Sequence, residues 1–503
     1  MLEGEINMYT LIIGIVLLCI AYVTYGKFIE KNFQIDPDRV TPAEALRDDL
    51  DFVPMSAKKN AIIELLNIAG TGPIFGPILG ALYGPIAYLW IIVGCIFAGA
   101  VHDYMIGMIS LRNDGAQLPA LASKYIGKAS KHIVNIFAML LLMLVGTVFV
   151  VSPATLIHQK LPTGSPLIIV ILGIFIYYII STILPIDKAM GKVYPWFGGI
   201  LITSTIAIGF QLFMNHGAQI PELTPQALNV VHPDNLSLFP GLFFTISCGA
   251  LSGFHATQSP LVSRTTKNEK EGRFIFYGMM LAEGVIAMIW LAASMTLFDG
   301  QTLSQLIAEG TASLVVDKVT LMLLGSTFGT LAITGVIVLP LSTGLSAFRS
   351  LRIILADYLN IKQDTLKKIL SVTIPLYVIS FALTYVDFNI LWRYFNWANQ
   401  VTAVIALLVA TRYLYLQSRN YIVTLIPSIF MLFAVVMYIL SEPIGLRMGV
   451  TGISLMIGLI ITLIMIVMFM RSGSQQKKSL PPESHTPKNT TVMHSQNESL
   501  QEA

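Results

Sequence analysis

An all-α fold that threads a membrane many times is what this sequence predicts, and three observations predict it. Apolar residues make up 55% of the 503-residue chain and charged ones only 12%, more apolar surface than one globular core can hide. The apolar residues gather into runs of about 20, the length that crosses a bilayer as a helix. Basic residues crowd into alternate gaps between those runs.

Taken in order, the runs predict thirteen spans, near 8–29, 60–83, 86–111, 132–158, 164–185, 192–214 and 240–262, then 273–298, 322–347, 367–386, 395–416, 420–440 and 447–470. The first run lacks the basic start of a secretion signal and is long enough to span, so it is expected as a retained helix, residues 1–30. A cytoplasmic loop, 31–59, follows. Residues 60–416 are expected to form a ten-helix core of two inverted repeats, about 60–214 and 240–416. Two accessory helices occupy 420–470. The tail "RSGSQQKKSLPPESHTPKNTT", opening the segment 471–503, is polar and proline-bearing, and reads as a disordered cytoplasmic end.

With the amino terminus outside, all but four of the 31 basic residues (Lys160, Lys318, Arg393 and Arg447) fall on the inward side, which puts the carboxyl terminus in the cytoplasm. The net charge of +3 gives no support for nucleic-acid binding. Cys19, Cys95 and Cys248 lie in apolar runs and read as core residues; they assemble neither a disulfide framework nor a paired-cysteine zinc site. No extramembrane segment is large enough for a catalytic domain, so function is expected inside the bundle, with the lipid bilayer as its surroundings. Oligomeric state is not legible.

The second span reads "NIAGTGPIFGPILGALYG" at 67–84, with Gly72, Gly76, Gly80 and Gly84 every four residues and Pro73 and Pro77 among them. Such a strip lets a neighbouring backbone approach closely, and Gly70, Thr71, Gly72 and Pro73 mark the expected point of unwinding. Tight packing alone is the alternative. A phosphate loop ranks third, because no Lys followed by Ser or Thr succeeds the glycines. The seventh span holds a second such stretch, "SCGALSGFHATQSP" at 247–260, in which Ser252, Gly253, His255 and Gln258 join the cargo-binding candidates. Spans two and seven run in opposite directions, and paired interrupted spans of this kind point to a transporter's binding site. Free amides and carbonyls at the half-helix ends suit a cargo carrying a carboxylate.

These two stretches, with "GAVHDYMIGMISLRNDG" at 99–115 and "NWANQVTAVIALLVATRYL" at 396–414, resemble the carbon starvation protein A family over about residues 60–415. The resemblance implies a bacterial inner-membrane transporter, for peptides or, in some relatives, for pyruvate with protons. It also implies the leucine-transporter fold of five plus five inverted helices. The chain departs from larger members, which carry an aspartate in the ninth span where this one has Ser342 within "LPLSTGLSAFRS".

Ionisable residues within spans are candidates for coupling. Glu283, about ten residues into the eighth span, ranks first. Asp103 either moves a proton or pairs structurally with Arg112 or a neighbouring helix. Glu64 titrates or anchors the first half-helix, and His255 is a proton switch or a satisfied core histidine. Ser342 and Thr343 offer hydroxyl oxygens for sodium or simply pack. Trp397, Asn399 and Gln400 of the eleventh span either hydrogen-bond cargo or neighbouring helices or, the favoured reading, pack. The function expected is a secondary active transporter importing short peptides or small carboxylates, coupled to a proton or sodium gradient and needing no cofactor. A membrane sensor or channel on the same fold is the alternative. Neither GxSxG nor HExxH occurs to support an enzyme.

Overall fold

A computed structural model describes residues 8–48, 50–161, 165–183 and 194–479. The chain is α-helical; the one β feature among the described residues is an isolated bridge between Met55 and Thr266. The helices are α1 (Tyr9–Phe33), α2 (Ala57–Ala69), α3 (Gly72–Gly80), α4 (Ile86–Leu111), α5 (Lys128–Lys160), α6 (Leu167–Ile183) and α7 (Tyr194–His216). There follow α8 (Leu238–Thr245), α9 (His255–Ser263), α10 (Glu269–Leu297), α11 (Gly300–Tyr358), α12 (Leu366–Leu383), α13 (Phe388–Leu416), α14 (Ile422–Ser441) and α15 (Gly452–Ser479).

Ten described helices are long and apolar enough to cross a membrane, or eleven if the bent pair of α2 with the stretch 72–83 counts as one span. This is a multi-pass membrane protein. The count differs from the thirteen expected at two places. The apolar part of α6 is shorter than the others, and the stretch 240–262 is divided between the short helices α8 and α9. The ninth expected span belongs to the much longer α11, whose helical path is interrupted at Gly310, Thr311 and Gly325.

The expected tail begins differently from a disordered segment. α15 continues to Ser479 because Lys477 Nζ donates to Tyr415 O (3.1 Å) and Ser418 Oγ (2.8 Å), while Arg412 Nη1 donates to Gln476 Oε1 (2.9 Å). The rest of the tail, and Lys188 and Lys192 of the inward set, lie outside the described residues.

Connections sort to two ends of the bundle. Segments assigned inward touch one another: Asp51 and Arg349, Met55 and Thr265, Arg112 and Glu269, Asn32 and Asn420. Those assigned outward do likewise, with Thr10 donating to Glu222, Ser304 to Asp234, and Tyr83 lying against His232. The same alternation that basic residues mark in the sequence is therefore present in the contacts.

Candidate functional site

The first break is made by Gly70, whose φ of 49° lies where a side chain is strained, and by Pro73, which removes a donor at the start of α3. The chain turns by 43° there. The glycine strip of α3 then faces the second break. A Cβ added at Gly72 would overlap the side chain of Cys248, one at Gly76 would crowd Thr245 O (3.2 Å), and one at Gly80 would overlap Ile246. Close approach of helix α3 to the unwound segment after α8 is what these glycines permit.

The second break spans residues 246–254, between α8 and α9, and its backbone groups need partners inside the bundle. α13 and α4 supply them. Asn399 Oδ1 accepts from Phe254 N (2.7 Å) and from Ser252 Oγ (3.1 Å); Gln400 Nε2 donates to Leu251 O (3.1 Å); Trp90 Nε1 donates to Ile246 O (2.9 Å). Gly253 lies directly on the α13 backbone at Asn399 and Ala403, so it serves helix contact rather than an open surface. α4 widens into a π-turn at Cys95–Gly99, where Gly99 meets Ala250 O.

Around the breaks four helices bring ionisable groups into one fully buried cluster. His255 Nδ1, on the first residue of α9, donates to Asp103 Oδ2 (2.8 Å), and His102 Nδ1 donates to Asp103 Oδ1 (2.7 Å). His255 Nε2 stands 3.5 Å from Glu283 Oε2 of α10. Ser259 Oγ donates to Glu64 Oε1 (2.7 Å), joining α9 to α2. Glu64, Asp103, His255 and Glu283 all have no solvent exposure.

Several buried atoms here have no hydrogen-bond partner among the described residues: Glu64 Oε2, both amide atoms of Asn67, Thr71 Oγ1, His255 Nε2, Gln258 Oε1 and both oxygens of Glu283. Glu64 and Asn67 are spaced i, i+3 and so share one face of α2 as it enters the break, and Thr71 lies just past Gly70. Gln258 donates to Thr257 Oγ1 (2.8 Å) through its amide nitrogen.

Of the coupling candidates, Glu64, Asp103 and Glu283 come together, with His255 among them. The pairing of Asp103 with Arg112 does not occur, because Arg112 sits at the far end of α4 and binds Glu269, Tyr413 and Gln34 O instead. Thr343 Oγ1 donates to Leu66 O (2.7 Å), one turn before the first break, whereas Ser342 Oγ donates to Leu339 O (2.7 Å) of its own helix. Sequence reasoning missed Asn67, His102 and Ser259, and took Asn399 and Gln400 for packing and Cys248 for core. The spacing of Asn67 from Glu64 was a readable signal; the remaining five depend on partners from other helices.

The carbon starvation protein CstA family matches this chain over residues 6–192 and 154–312. An uncharacterised membrane protein of Haemophilus influenzae is 43% identical over 354 residues, 60% of this chain and 94% of that protein. Two Escherichia coli proteins are each 28% identical. The peptide transporter CstA matches over 59% of this chain and 51% of its own length, and the pyruvate/proton symporter BtsT over 58% and 49%. The chain thus spans about half the length of these two relatives. Among solved structures, a mutant manganese transporter of Eremococcus coleocola superposes with a TM-score of 0.51 at 11% identity, covering 86% of this chain and 98% of that one. That likeness is one of fold.

Proposed function

The chain belongs to the carbon starvation protein CstA family, and from that premise we propose that it is a secondary active transporter importing short peptides or small carboxylates such as pyruvate. The observation that carries the reading is the meeting of two broken helices, α2–α3 and α8–α9, at Gly72 and Cys248, beside buried polar atoms without partners. A solute carboxylate suits the Asn67 amide and the Thr71 hydroxyl, which stand without partners among the described residues at the first break. The names of the two Escherichia coli relatives support both cargo classes.

Coupling to protons is the reading that Glu64, Asp103, His255 and Glu283 favour, since they form a buried set of proton-carrying groups at the breaks. Sodium is a second reading, favoured by the Thr343 hydroxyl against Leu66 O beside the first break, with Ser342 the weaker contributor. The two breaks are the corresponding parts of inverted repeats, about 60–214 and 240–416. The protein sits in a bacterial inner membrane with its amino terminus outside, as the basic-residue bias argues.

Reconstituted into liposomes, the protein should accumulate labelled dipeptide or pyruvate when a proton gradient is imposed, and sodium alone should drive uptake only on the second reading. Uptake of neither cargo under both a proton gradient and a sodium gradient would overturn the proposal.

A further inference from the structure

We propose that Cys248, His255 and Glu283 form a binding site for one divalent transition cation of the zinc class. One thiol sulfur, one imidazole nitrogen and one carboxylate oxygen from these three residues all lie within 4.8 Å of one another. Ligands on a single tetrahedral zinc ion stand about 3.3–3.6 Å apart, given bonds of about 2.0–2.3 Å. The 3.5 Å between His255 Nε2 and Glu283 Oε2 already meets that spacing, and the thiol, no more than 4.8 Å from either, has about 1.3 Å to travel at most.

The histidine is prepared for a metal. A carboxylate only accepts, so the proton of His255 lies on Nδ1, where Asp103 holds it, and the Nε2 lone pair faces Glu283. Asp103 is fixed in turn by His102. A carboxylate behind a ligating imidazole is the arrangement that orients such rings and raises their basicity.

The nitrogen and oxygen ligand atoms also lack partners, while Cys248 Sγ donates one long hydrogen bond to Ser252 Oγ (3.6 Å). His255 Nε2 and both Glu283 oxygens lack a hydrogen bond among the described residues, although both side chains are fully buried. Bare polar atoms in a low-dielectric interior are costly, and a cation is the partner that serves a sulfur, a nitrogen and an oxygen at once. Thiolate with imidazole selects a zinc-like ion over magnesium or calcium, which prefer all-oxygen shells. The carboxylates of Glu64 and Asp103 close by add negative charge that favours a dication. Three protein ligands leave one coordination position open.

The ligands come from the unwound segment (Cys248), the first residue of α9 (His255) and the middle of α10 (Glu283), so a bound ion would tie the second break to α10. The inference does not require the chain to transport anything.

Cobalt(II) is the probe, added to the purified full chain in lipid nanodiscs. One equivalent should give a thiolate-to-cobalt charge-transfer band that zinc abolishes and magnesium or calcium leaves intact. The band should vanish in Cys248→Ala and persist in Cys19→Ala and Cys95→Ala. Asp103→Asn, which removes only the outer partner, should weaken cobalt binding about 10–100-fold, and Glu283→Gln should weaken it at least as much. A second measurement needs no variant: X-ray absorption at the zinc edge of the wild-type protein should find one sulfur at about 2.3 Å with nitrogen and oxygen at about 2.0 Å. A cobalt band that survives Cys248→Ala, no band in the wild type, or a zinc shell without sulfur would overturn the site.

Discussion

Two groups of buried carboxylates, one inside the bundle and one at the end where the loop 31–59 meets α10, differ in the partners that pair with them. At the loop end Glu269, fully buried, receives Arg112 through two hydrogen bonds (2.7 and 2.8 Å), Arg39 at 3.1 Å and the backbone N–H of Asp36 at 2.6 Å. Asp51 lies between Arg349 (3.1 Å) and Arg352 (3.7 Å). Inside the bundle the three acids Glu64, Asp103 and Glu283 have no arginine or lysine among their bonded partners, and share two histidines and one serine. A closed set of ion pairs holds helices in place. A set short of positive charge is arranged to receive it from outside, whether as protons or as a metal ion.

That contrast can be broken by experiment. The largest effect belongs to Glu283→Gln, which should reduce gradient-driven uptake to the level of empty liposomes while changing stability by less than about 1 kcal/mol, because no ion pair with arginine or lysine is lost. Retained uptake would remove Glu283 from coupling. Arg112→Ala should do the reverse at the other end. It strips the bidentate partner from buried Glu269 and the link to Tyr413, lowering stability by about 3–5 kcal/mol in denaturant titrations of the detergent-solubilised protein. A loss below about 1 kcal/mol would show that the loop-end network is ornamental.

Asn399→Ala tests what supports the second break. Leaving Phe254 N and Ser252 Oγ unpaired should cost about 1–3 kcal/mol, read as a lower thermal midpoint, and should speed amide exchange over residues 246–254. Unchanged exchange there would mean α13 does not hold the segment. The smallest effect is one of pH. Burial pushes the Asp51 carboxyl up, but Arg349, Arg352 and Arg264 together outweigh it and hold it below the ordinary carboxylate range. Its folded-state pKa is therefore depressed. The stabilisation is complete above about pH 4, the unfolded value, and is lost as pH falls through the lower folded value. Asp51→Asn should flatten the acid limb of the stability profile, and an unaltered limb would remove Asp51 as a cause.

The interruption of the second and seventh spans was legible because glycine and proline announce themselves wherever they fall in an apolar run; the chain breaks at Gly70 and over 246–254, the latter overlapping the first half of the marked stretch 247–260, whose second half is helical in α9. The acids Glu64, Asp103 and Glu283 stood out for the same reason, as ionisable residues in apolar surroundings. Their meeting did not. Cys248 looked like one more core cysteine until His255 and Glu283 were beside it, and Asn399 looked like a packing residue until the unwound backbone it binds was in view. Arg112 was nine residues from Asp103 in the sequence and bonded elsewhere.

By itself, then, the sequence determined that the chain is helical and membrane-bound, which segments share a side, and where two helices come apart, because hydropathy, charge bias and backbone freedom are local properties. Only the tertiary structure decided which buried acid faces which histidine, and which side chains stand in for the lost helical bonds. Those choices join residues more than 140 positions apart, such as Asp103 with His255 and Ser252 with Asn399, and no local pattern encodes a partner at that distance.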